Sequence, residues 1–189
     1  MPYENKITLC VSGAADIGHC GIDSRDKAIE LGREIALSGS VLVTGATTGF
    51  PLWSAMGAKE KGGVSIGLSP ASNIKEHLQI YKLPADYMDL IVYTGFGYPG
   101  RDLLLVRSCE AVLIGCGRIG TIHEFTIAFE DNKPIGILQG DWATDEVIQN
   151  IIANGNRPHS KIIFDTDPKR LVQTIVDMVK ADRLAAGIV

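Results

Sequence analysis

No apolar run in the 189 residues approaches the ~18 that a membrane-spanning helix requires. The opening stretch Met1-Pro2-Tyr3-Glu4-Asn5-Lys6 carries neither a basic cluster nor a following apolar core, so the expected location is cytoplasmic. Basic charge is also in short supply. Eighteen Lys and Arg against 22 Asp and Glu leave a net charge of −4, which provides no cationic excess to attract nucleic acid. Only four cysteines occur, Cys10, Cys20, Cys109 and Cys116, widely spaced and partly within apolar segments, and they read as free thiols rather than a disulfide framework. C-x-x-C and H-x-x-x-H spacings are missing, so His19, Cys20, Cys116 and His123 are not expected to hold a metal. There is no G-x-x-x-x-G-K-[ST] loop. Gly95, Gly97 and Gly100 have dinucleotide-type spacing, but a proline intervenes and Arg101-Asp102 follows, which weakens the standard ATPase and dinucleotide readings.

Hydrophobic residues make up 46% of the chain and charged residues 21%, the balance of a globular protein with a substantial core. At roughly 150 residues per domain, residues 1–189 are expected to form one compact domain. Short Val/Ile/Leu runs at 6–12, 41–44, 64–68, 90–93, 111–115, 134–138 and 161–164 alternate with amphipathic stretches at 24–38, 51–61, 101–109, 121–131, 144–153 and 168–184. This rhythm predicts an α/β fold: a doubly wound, mostly parallel sheet of about seven strands flanked by helices, with most strands buried on both faces. Ser24, Thr144 and Asp167 are candidate N-caps. Residues 69–89 read as an irregular excursion, and 185–189 as a fraying tail.

In such sheets ligands sit at the carboxyl ends of the strands. Four glycine-bearing junctions lie there: Ser12-Gly13-Ala14-Ala15, Thr44-Gly45-Ala46-Thr47-Thr48-Gly49, the stretch from Thr94 to Gly100, and Gly115-Cys116-Gly117-Arg118-Ile119-Gly120-Thr121. Glycine lets backbone N–H groups approach a ligand, and helix amino ends favour anions, so a phosphate-bearing small molecule is the inferred partner. Thr121 and Glu124 open the following helix at Thr-x-x-Glu spacing, which is equally that of a capping box. The stretch 16–23 reads as a flap or a surface loop. Trp53, Ala55, Met56 and Gly57 suggest a close-packed helix face suited to a dimer contact.

Cys116-Gly117-Arg118-Ile119-Gly120-Thr121-Ile122-His123-Glu124 resembles the Pro-Gly-Gly-x-Gly-Thr-x-x-Glu motif of the Lonely guy (LOG) family, Rossmann-fold nucleotide-binding proteins of the SLOG type formerly labelled lysine decarboxylases. Arg101 falls on the family's upstream arginine. Thr44–Gly49 and the stretch from Gly62 to Pro70 are similar to its glycine-rich segments, so the likeness spans roughly residues 6 to 140. The resemblance implies hydrolysis of the N-glycosidic bond of a nucleoside 5′-monophosphate to free base and ribose 5-phosphate, with Glu124 and Arg101 catalytic. It implies nucleotide or phosphate contacts from Gly13, Thr44, Gly45, Thr47, Thr48, Gly117, Arg118, Gly120 and Thr121, with no cofactor or metal. A homodimer or higher homo-oligomer is also implied. Cys116 and Arg118 replace the motif's proline and second glycine, Ala46 and Thr47 replace glycines, and Asp102 stands where catalytic members usually carry lysine. These departures favour the alternative, a non-catalytic nucleotide or cofactor carrier or sensor of the same fold. Arg118 itself reads two ways, as a charged phosphate contact or as a group that narrows the pocket.

Overall fold

The computed structural model describes residues 5–188. Residues 1–4 of the opening stretch, and Val189 of the expected fraying tail, lie outside the described residues.

Seven strands form one parallel sheet: β1 (Thr8–Ser12), β2 (Val41–Thr44), β3 (Val64–Ser69), β4 (Leu90–Tyr93), β5 (Ala111–Ile114), β6 (Ile135–Leu138) and β7 (Ile162–Asp165). Their spatial order is β4-β3-β2-β1-β5-β6-β7, with every pair parallel. Winding therefore reverses between β1 and β5, where Ser12 pairs with Ile114, and this is the switch point at which a doubly wound sheet opens a crevice. Among the described residues, five α-helices connect strands, α1 (Ser24–Leu37), α2 (Phe50–Glu60), α3 (Gly97–Arg107), α4 (Ile119–Glu130) and α5 (Thr144–Asn154), and a sixth, α6 (Pro168–Ala185), follows β7.

Successive strand residues point to opposite faces, which divides the apolar strands between two cores. Leu9, Val11, Leu42 and Leu113 pack with α1, α2 and α6 through Leu31, Ile35, Phe50 and Ile175. Cys10, Val43, Val112 and Ile114 pack with α3, α4 and α5 through Leu105, Phe125 and Ile148. The edge strand β4 departs from two-sided burial, since Leu90 and Val92 are 55% and 43% exposed.

Helices α1 and α2 cross at backbone contact. A Cβ on Gly32 would lie 1.8 Å from the Ser54 carbonyl oxygen, and one on Gly57 would lie 1.9 Å from that of Ile29. The small-residue face expected to meet a second copy is thus covered within the chain by α1, which corrects the dimer-contact reading of Ala55 and Gly57.

Strand bounds follow the sequence reading within two residues, and so do the helix starts, except that of α3. Helix α3 begins at Gly97 rather than Arg101, because a proline in the first turn gives up an N–H that would have no intrahelical partner. Asp167 caps α6 as expected, accepting from the Lys169 and Arg170 amides at 2.8 and 3.1 Å. Ser24 and Thr144 are instead the first helical residues, and neither caps its own helix. Within the irregular segment the chain makes one π turn, Glu76–Ile80. There buried His77 bonds to Ser69 Oγ at 2.8 Å and to the Pro84 carbonyl at 2.9 Å.

Candidate binding cleft

A cleft of about 270 Å³ opens at the switch point. Its walls come from the loop after β1, the loop after β2, the first turn of α3 and the first turns of α4. Beneath it lies Phe50, fully buried and edge-on to Trp142 at 6.3 Å between centroids. A Cβ at Gly13 would collide with Phe50, 2.7 Å from its Cβ and 2.9 Å from its ring, and one at Gly115 would lie 2.1 Å from that ring. Both glycines therefore let the two loops lie flat on Phe50.

The amino end of α4 faces this space. Its N-cap, Arg118, is extended and gives no side-chain cap. The amides of Ile119, Gly120 and Thr121 thus have no intrahelical acceptor. Thr121 is 4% exposed, and its hydroxyl takes no protein partner among the described residues. Unfilled N–H donors and the positive helix end make a seat for an anion.

Beside this seat is a buried ionic network. Glu124, 7% exposed, accepts a short hydrogen bond from Ser12 Oγ. That partner excludes the capping-box reading, because Glu124 turns to β1 rather than to a helix amide. Burial pushes the Glu124 carboxyl up to about 7; the Asp102 carboxylate reinforces the rise, while the Arg101 charge and the Ser12 hydroxyl oppose it. Arg101 is 5% exposed, and its guanidinium turns inward. Nη1 donates to the Gly45 carbonyl by a short bond and to that of Leu68 at 3.4 Å, and Nε donates to Asp102 Oδ1 at 3.0 Å. The Tyr98 ring covers Arg101, 5.6 Å from Cζ. Asp102 completes the chain by meeting His123 Nδ1 at 3.0 Å.

Of the residues expected at the site, Gly13, Thr47, Arg101, Arg118, Gly120, Thr121 and Glu124 line the cleft. Four others do not. Thr44 is fully buried, its hydroxyl accepting from the Ala46 amide at 3.2 Å. Gly45 supplies the carbonyl that holds Arg101, and a Cβ there would lie 1.6 Å from Nη1. Thr48 donates to the Ala15 carbonyl at 3.0 Å, tying two cleft loops together. Both backbone groups of Gly117 are taken: its amide donates to Thr144 Oγ1 at 2.7 Å, and its carbonyl accepts from that hydroxyl at 3.1 Å. In all four places the polar groups nearest the loops satisfy one another across the sheet edge. The residues that sequence reasoning did not assign to the site are Ser12, Asp16, Tyr98, Asp102 and Thr144. Ser12 and Tyr98 fall within the glycine-bearing junctions and Asp16 within the 16–23 stretch, while Asp102 carried its own signal as the acid following Arg101 where lysine was expected.

The 16–23 stretch borders the cleft through Asp16, and the free-thiol expectation fails there. Cys20 and Cys116 form a disulfide across 96 residues, whereas Cys10 and Cys109 are free and buried. Spacing carried no hint of the pair, because the fold, not the local chain, brings the two loops together. Arg118 donates to Asp16 Oδ2 at 2.7 Å and to His19 Nδ1 at 3.3 Å, so it grips the flap. His19 Nε2 meets the Gly117 carbonyl at 3.1 Å, which with the Arg118 donor at Nδ1 selects the Nε2–H tautomer. His19, Cys20 and Cys116 do converge within 4.8 Å of one another, but both sulfurs are bonded to each other.

No helix among the described residues is long and apolar enough to cross a membrane. The structure resembles a molybdenum cofactor binding protein from the phototrophic bacterium Rippkaea orientalis at 27% identity and TM-score 0.72, covering 95% of this chain and 98% of that one. It shares its fold with the molybdenum cofactor carrier protein of Chlamydomonas reinhardtii at 24% identity and TM-score 0.72, covering 94% and 99% of the two chains. DNA processing protein A from Helicobacter pylori has the same fold at 19% identity and TM-score 0.63, over 91% of this chain and 81% of that one. An uncharacterized protein of Archaeoglobus fulgidus is 31% identical over 127 residues, 67% of this chain and 78% of the relative. Residues 6–172 match the sequence profile of the SLOG cluster4 family, and the chain belongs to that family.

Proposed function

We propose that this protein binds a phosphate-bearing small molecule, a nucleotide or a cofactor, and carries or senses it without cleaving it. The phosphate lies at the amino end of α4, on the Gly120 and Thr121 amides and the Thr121 hydroxyl, with Arg118 beside it. The carrying observation is the inward turn of Arg101. Its Nη1 and Nε donors are satisfied by the Gly45 and Leu68 carbonyls and Asp102, so the arginine expected to work on a substrate braces the cleft wall instead. The molybdenum cofactor, which ends in a phosphate, is supported as the ligand class by the Rippkaea orientalis likeness and by the open anion seat.

A second reading, the phosphoribohydrolase, is supported by Glu124. A carboxyl with a pKa of about 7 at the cleft wall is partly ionised at neutral pH, and as carboxylate it stabilises positive charge developing on a ribose. Calorimetry and chromatography with a panel of nucleoside 5′-monophosphates and with anaerobically extracted molybdenum cofactor separate the two. Binding without release of free base supports the carrier; base and ribose 5-phosphate formed by the native chain and lost in Glu124→Gln establish the hydrolase. The proposal includes a homo-oligomer, supported by Phe96 and Ile119 standing 68% and 83% exposed beside the cleft. Sedimentation velocity tests it.

A further inference from the structure

We propose that the Cys20–Cys116 pair is a redox-active disulfide, an exchange site for a dithiol, and that opening it frees the flap beside the cleft. The two sulfurs differ in access. Cys116 is fully buried, whereas Cys20 is partly exposed, so an incoming thiolate meets Cys20. The sulfur it displaces is well placed to leave as thiolate. His19 Nε2 stands 3.6 Å from Cys116 Sγ, the Arg118 guanidinium adjoins the same imidazole, and the uncapped end of α4 begins three residues on. Donors, positive charge and a helix amino end all favour the thiolate form of a cysteine, and a better leaving thiol speeds exchange.

The chemistry balances with a dithiol reductant. Its first thiolate attacks Cys20 Sγ, the Cys20–Cys116 bond breaks, and Cys116 departs as thiolate. The second thiolate then attacks the reductant's own sulfur in the mixed disulfide, which closes the reductant's disulfide and releases Cys20. Two electrons and two protons pass to the protein, and the dithiol is oxidised.

The consequence for the cleft follows from what else holds the flap. Without the disulfide, the stretch is retained by the exposed Asp16–Arg118 ion pair and by His19, which bonds to the Gly117 carbonyl and accepts from Arg118 Nε. Surface pairs of this kind hold weakly. The near end stays anchored by the Ala14 amide on the Cys116 carbonyl at 2.7 Å, so the flap hinges rather than detaches.

The exchange chemistry does not depend on what the cleft binds, and the test reads thiols and flap motion only. Air-oxidised protein, denatured and titrated, should show two thiols, rising to four after treatment of the native protein with dithiothreitol. Brief exposure to 2-mercaptoethanol, acid quench and alkylation should place the mercaptoethanol adduct on Cys20 and the alkyl group on Cys116. On reduction, the amides of 15–23 should lose hydrogen-exchange protection, and both Cys20→Ser and Cys116→Ser should show that pattern without reductant. His19→Ala should slow reduction, because a leaving thiolate that has lost its donor departs less readily. Four thiols in the oxidised protein, reduction only after denaturation, an adduct on Cys116, or identical flap exchange in the two redox states would each overturn the proposal.

Discussion

The Glu124 carboxyl should make the protein less stable as the pH rises toward neutrality. In an unfolded chain it titrates near 4.5, and in the fold burial moves it to about 7. A folded pKa above the unfolded one means that the native state keeps the proton longer. Its contribution is therefore fully present below pH 4.5 and is lost as the pH passes through 7. A shift from 4.5 to about 7 corresponds to roughly 3 kcal/mol at 1.36 kcal/mol per unit. Glu124→Gln keeps an acceptor for Ser12 Oγ and removes the titration. Urea unfolding of both proteins at pH 5, 6, 7 and 8 should show the native chain losing up to about 3 kcal/mol relative to the variant between the extremes. A difference that stays flat, or that grows in favour of the native chain as the pH rises, would show that the carboxyl is ionised in the fold and that Arg101 outweighs burial.

Gly32→Ala forces a Cβ to within 1.8 Å of the Ser54 carbonyl oxygen, and it should cost roughly 3 kcal/mol by overpacking, read as a lower urea midpoint. Phe50→Ala should cost about 3–5 kcal/mol and loosen the loops at Gly13 and Gly115, which hydrogen exchange would report. Thr144→Val strands the Gly117 amide and should cost about 1–3 kcal/mol, with the loss of protection centred on 115–118 by hydrogen exchange. Arg118→Gly should raise exchange across 15–23 by breaking the hold on Asp16 and His19; tighter AMP binding by the same variant in calorimetry would refute Arg118 as a phosphate contact.

Helix and strand positions were legible because their causes are local. A buried parallel strand is a run such as Val41-Leu42-Val43, and a helix stop such as Gly39 marks itself by its positive φ of 78°. Start signals were less dependable. Thr121 and Thr144 carry good capping hydroxyls, but one faces the cleft and the other holds Gly117, since a hydroxyl beside a loop has competing partners.

The sequence by itself determined an α/β chain with glycine-bearing loops at one edge of its sheet, because apolar period and turn chemistry are properties of neighbouring residues. Only the tertiary structure decided the strand order that sets β1 against β5 and thereby makes the crevice. It also decided the pairing of Ser12 with Glu124 across 112 residues, the turn of Arg101 toward Gly45, and the Cys20–Cys116 bond. Each of these depends on which loops the winding brings together, and a buried charge or thiol takes its chemistry from groups that no local pattern records.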